Sequence, residues 1–142
     1  MKAMTHTIAA AALSVVLTYP AVAVGEELSG TYPVALTEVA NNCDADAITL
    51  DTEELTLRSA GDDEIAARLS TIPEMTGEKR RGGRFRAEVQ TQDSPIDDAE
   101  AAYSIAGRIR GDRVHQLILI AEHYRDDRPL CTQSWNGRAD SR

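Results

Sequence analysis

Residues 103–124 read YSIAGRIRGDRVHQLILIAEHY, and their pattern decides the fold class. In the first half, Tyr103, Ile105, Gly107 and Ile109 share one parity, while Ser104, Ala106, Arg108 and Arg110 share the other. Alternation of this kind places the two sets of side chains on opposite faces of a β-strand. Gly111-Asp112 then supplies turn chemistry for a hairpin. Val114 and the block Leu117 to Ile120 follow, the longest apolar stretch outside the extreme N-terminus. Because that block is apolar on both parities, it predicts a central strand covered on both faces. The stretch is therefore expected to be the hub of a small all-β domain.

Working outward, the N-terminus has the order of an export leader. Met1 to Thr7 carries one cation, Lys2, and no acid, and Ile8 to Leu17 is apolar apart from Ser14. That run has the length of a signal-peptide core and is too short to span a bilayer as a helix. Pro20 ends it, and Ala21-Val22-Ala23 offers a small-x-small cleavage site. Residues 1–23 are thus expected to be a cleaved signal helix, leaving residues 24–142 as one secreted β domain in the periplasm or outside the cell. Cleavage removes Lys2 and no acid, so the net charge would move from −8 to −9. Such a surface repels nucleic acid and anionic lipid at long range. No second apolar run of spanning length follows, so no stable membrane insertion is expected.

Export gives the cysteines a meaning. Cys43 and Cys131 are the only two in the chain, so one intramolecular disulfide is possible and an oxidising compartment favours it. The chain-entropy model assigns such a long loop on the order of 4 kcal/mol of stabilisation.

The remaining strands are read in order. Gly30 to Leu36 reads as a strand whose Pro33 predicts an edge position. Ile48/Leu50 and Leu55/Leu57 alternate, and Ile65 to Ile72 fits either a strand or a helix behind an acidic first turn, its neighbours favouring a strand. Gly77 to Arg84 reads as a basic, Gly-rich loop, and Phe85, Ala87 and Val89 then alternate as a half-buried strand. Ser94-Pro95-Ile96-Asp97 carries a helix-start signal, in conflict with the alternation from Tyr103. An acidic loop with at most one helical turn reconciles the two. Asp126-Asp127-Arg128-Pro129 turns the chain into a last strand, Leu130 to Trp135. The expected fold is an antiparallel meander of about seven strands closing into a small barrel or sandwich.

Gly83-Arg84-Phe85, Gly107-Arg108-Ile109-Arg110-Gly111, Val114, Cys131, Trp135 and Arg138 together resemble a type of small bacterial secreted β domain of unassigned function. The resemblance spans Phe85 to Arg138, with a tighter Cys131–Trp135 spacing, and the Gly-x-Tyr opening and meander are distantly lipocalin-like. It implies a fold and brings no activity.

Chemistry-bearing residues are sparse. His115 and His123 lie eight apart, so on a regular strand they share a face at about 26 Å, too far for one metal. Both are expected at solvated strand ends. Ser104 or Ser134 has no Gly-x-Ser-x-Gly elbow around it. The paired carboxylates Asp62/Asp63, Asp97/Asp98 and Asp126/Asp127 sit in turn contexts, where Asp bonds its own backbone. The segment from Asp93 to Glu100 lacks the spacing of a calcium loop, and Arg110-Gly111-Asp112 is accounted for by the hairpin. Neither catalytic nor metal-binding residues nor a cofactor is expected. The basic run Lys79, Arg80 and Arg81, continued by Arg84 and Arg86, stands out on an acidic chain as a docking point for an acidic partner. These features predict a non-catalytic envelope protein that binds a small molecule or a protein. The alternative is a structural or inhibitory protein whose acidic surface meets a cationic secreted enzyme.

Overall fold

The 103–124 stretch forms a long hairpin, paired from Glu100↔Tyr124 at its open end to Arg110↔Arg113 at its turn. Gly111 takes φ +61°, the left-handed conformation that such a turn needs at its first position. In the computed structural model, which describes residues 28–44 and 47–140, this hairpin is one quarter of a closed sheet. The strands are β1 (Gly30–Asn41), β2 (Thr52–Ser59), β3 (Glu64–Leu69), β4 (Ile72–Arg80), β5 (Arg84–Thr91), β6 (Glu100–Arg110), β7 (Arg113–Arg125) and β8 (Arg128–Ala139). Each pairs antiparallel with its successor and β1 returns to β8, closing a barrel. The expected leader and cleavage site lie outside the described residues.

The strand beyond the expected seven is β4. A turn at Ser70-Thr71, with Ser70 at φ 50°, separates it from β3 without Gly, Pro or Asn to announce it. Gly77, read as the start of a loop, lies inside β4 between Ile65 and Ala87. A Cβ there would run into the Arg86 carbonyl, so glycine lets two strands approach instead of ending one. The loop between β5 and β6 is not helical, and β6 starts at Glu100, ahead of the alternation read from Tyr103. Asp126 and Asp127, at φ 52° and 59°, make the two-residue turn into β8. Pro33 marks no edge, because closure removes edges. It sits where the β1–β8 ladder ends, and its carbonyl accepts the Asp140 N–H at 3.1 Å.

Side chains inside the barrel form one continuous core, including Leu55, Leu57, Ile65, Leu69, Met75, Phe85, Ile105, Leu119 and Trp135. Eight strands leave a lumen just wide enough for side chains to fill. Most charged residues face outward, the reverse of a lipid-facing barrel wall. No helix among the described residues is long and apolar enough to cross a membrane. Cys43 and Cys131 are joined as a disulfide with sequence separation 88, tying the end of β1 to β8.

Two expectations fail in the hub, and both matter for function. The apolar block is not covered on both faces. Leu117 and Leu119 point into the core, whereas Ile118 stays 40% exposed and Ile120 half-buried on the outside. Nor do the two histidines share a face. The ladder runs Arg108↔Gln116 and then Ile109↔Val114, so His115 is an extra residue at a bulge. The bulge resets the parity, leaving His115 exposed and turning His123 inward, where it is completely buried.

Candidate functional site

The outward Ile118 and Ile120 belong to a groove of about 530 Å³ on the wall formed by β4 to β7. Cross-strand register explains its shape. On β6 the outward residues in the middle of the wall are Ser104 and Ala106, both small. On either side stand larger side chains, Arg86 opposite Ala106 on β5 and Ile118 opposite it on β7. A strand with small outward residues between two with large ones makes a trough. Its β7 side is apolar, formed by Ile118 and Ile120.

The barrel end of the trough is cationic. Arg80 pairs with Arg84, Arg84 with Arg108, and Arg108 with Gln116, placing three guanidinium groups in one row across three strands. Like charges directly opposite on a sheet are destabilising. Arg80 is balanced by Glu78 at 2.6 Å, and the Arg108 Nε donates to the Gly82 carbonyl at 3.0 Å. Arg84 and Arg86 have no carboxylate within ion-pair distance among the described residues.

The basic run singled out in the sequence is thus divided. Arg80, Arg84 and Arg86 line the groove, Arg81 sits in the tight turn between β4 and β5, and Lys79 has the inward parity opposite Phe85, where it is half-buried. Sequence reading missed Arg108, Ile118 and Ile120. The alternation that puts Ile105 and Ile109 inside already assigns Arg108 outward, but only register shows that it stands beside Arg84. The two loops fall as the meander predicts, the basic turn at one end of the barrel and the loop from Asp93 to Ala99 at the other.

A second polar cluster closes that other end. His123 faces Cys131 across the β7–β8 ladder, and its Nδ1 lies 2.8 Å from Ser94 Oγ in the β5–β6 loop. Ser94 Oγ also accepts the Ile96 N–H at 3.1 Å. Gln133, completely buried, donates through Nε2 to Glu38 Oε1 and to the Ile48 carbonyl, both at 3.1 Å. His123 Nε2 and Gln133 Oε1 are left without a partner of ordinary hydrogen-bond geometry. Burial holds the His123 imidazole below its usual pKa, and nearby Gln133 offsets part of that effect. Ser104 and Ser134, the serines weighed as nucleophiles, lie on the outward parity and do not meet His123 inside.

No protein-family model, curated protein or solved structure matches the chain.

Proposed function

We propose that this chain is an exported, non-catalytic binding protein that docks an acidic protein partner in its outer groove. One observation carries the reading: a row of arginines, three of the four groove guanidinium groups having no carboxylate within ion-pair distance among the described residues, borders an apolar side formed by exposed Ile118 and half-buried Ile120. Such a face complements a surface that presents carboxylates around one apolar side chain. On a chain of net charge −8, a confined basic wall orients a partner and speeds encounter more than it adds affinity. Lipocalins use the same eight-stranded, up-and-down barrel to hold a ligand in the lumen. Here Trp135, Met75, Phe85 and their neighbours occupy the lumen, which moves the reading to the wall. Export is supported by the leader pattern of residues 1–23 and by the disulfide.

A synthetic peptide with glutamates flanking a single leucine tests this, alongside vesicles of anionic phospholipid. The peptide is expected to bind in a salt-sensitive way. Ala106→Trp, which fills the trough from an exposed position, is expected to abolish binding and leave the melting curve in place. Binding to vesicles but not to peptide, or unchanged peptide binding by Ala106→Trp, would contradict the proposal.

A further inference from the structure

The closed end of the barrel brings together three metal-ligand side chains that lie far apart in sequence. One ligand atom from each of Cys43, Cys131 and His123 lies within 4.8 Å of the other two. Among the described residues, this is the one group of three or more potential ligands so placed. His123 is completely buried, its Nδ1 is engaged by Ser94, and its Nε2 makes no hydrogen bond of ordinary geometry. We propose that reduction of the Cys43–Cys131 disulfide converts this cluster into a Cys2His site for a borderline-soft divalent ion, zinc foremost.

The donor set and its support fit that ion. Zinc takes thiolate at about 2.3 Å and imidazole at about 2.0–2.1 Å, so donors already this close converge with small adjustments once the sulfurs part. A metal-binding histidine is held by a hydrogen bond from its other ring nitrogen. Ser94 Oγ is in place to accept that bond from Nδ1–H, which presents the Nε2 lone pair. Gln133 Oε1, the second buried acceptor without a donor, places a further electron-rich atom at the same end. Cys43 is half-buried whereas Cys131 and His123 are buried, so reductant and ion enter from the Cys43 side.

The chemistry balances as thiol–disulfide exchange. A dithiol reductant attacks one sulfur to give a mixed disulfide, and its second thiol releases the protein. Two electrons and two protons pass to Cys43 and Cys131, and the reductant leaves as its own disulfide. Zinc then displaces both thiol protons to solvent and accepts the neutral imidazole, with water in the fourth position.

Cobalt(II) is the probe, added anaerobically to oxidised and to phosphine-reduced protein and followed by zinc competition. Reduced protein is expected to retain its β-sheet circular dichroism and to develop a thiolate-to-cobalt charge-transfer band at one equivalent, lost on adding zinc. Oxidised protein and Cys43→Ser are expected to show no band. Ser94→Ala is expected to weaken cobalt affinity on the order of 10–100-fold, as loss of a supporting hydrogen bond does. His123→Gln is expected to weaken it further. Collapse of the sheet signal on reduction, or a folded reduced protein without the band, would overturn the site. Undiminished affinity in Ser94→Ala would also overturn it, and that variant decides the matter if His123→Gln fails to fold.

Discussion

His123 shows how one inserted residue changes what a side chain does. Eight positions separate it from His115, and a regular strand would put both on one face, but the bulge at His115 sends His123 into the core. No periodicity in the sequence marks that bulge, because His and Gln at 115–116 are equally at home inside or outside it. Burial disfavours the imidazolium, so the folded-state pKa lies below the ordinary 6.5. The unfolded chain therefore binds more protons as pH falls through that ordinary value, and stability declines below it. Urea unfolding of the oxidised protein at about pH 7 and about pH 5 is expected to show this loss, and His123→Gln to reduce it. An unchanged difference in the variant would assign the loss to the carboxylates instead. Gly107 makes a complementary case, since alternation placed it correctly but gave no reason for glycine. A Cβ there would lie 2.8 Å from the Gln116 carbonyl and 2.8 Å from the Phe85 ring. Gly107→Ala is expected to lower stability by about 1–3 kcal/mol, read from the denaturation midpoint.

At the scale of elements, the β6–β7 hairpin was legible because alternation, Gly-Asp and an apolar run agreed within 22 residues. The strand β4 was not, because its inward Gly77 and its run of Lys79 and Arg80 imitate a loop and the Ser70-Thr71 turn lacks the usual residues. Covering of the apolar block was overestimated for a related reason. A closed barrel of single thickness has an inside and an outside and no second layer, so Ile118 and Ile120 remain at the surface. The disulfide was fully legible from count and context. It joins the segment after β1 to β8, elements that also share the closing ladder, and the Thr132 N–H to Asn42 Oδ1 bond at 2.7 Å reinforces the same seam. Cys131→Ser is expected to cost about 2–5 kcal/mol by chemical denaturation. Free thiols in the unfolded, unreduced wild type would show that the cross-link does not form.

For the whole molecule, connections in a meander alternate between ends, so the basic turn at Arg81 to Gly83 and the Asp-rich loop from Asp93 to Asp98 lie at opposite ends of the barrel. Over that length exposed charges are largely screened from one another, and the two ends keep their separate characters. The sequence showed the basic run but not the groove, whose apolar side and whose fourth arginine arrive only through register. Arg84 stands between Arg80 and Arg108, so its charge works against the sheet. Arg84→Glu is therefore expected to raise stability by about 0.2–1 kcal/mol while slowing association with an acidic peptide. A variant that is less stable, or that associates as fast as wild type, would argue that the row serves the fold. The most direct measurement is nuclear magnetic resonance shift mapping of the oxidised protein titrated with the leucine-centred glutamate peptide. The account predicts saturable shifts at Arg84, Arg86, Ala106, Arg108, Ile118 and Ile120, lost in Arg84→Glu. Shifts centred on the Trp135 indole and the inward Ile105 and Leu119 would place the ligand in the lumen and contradict it.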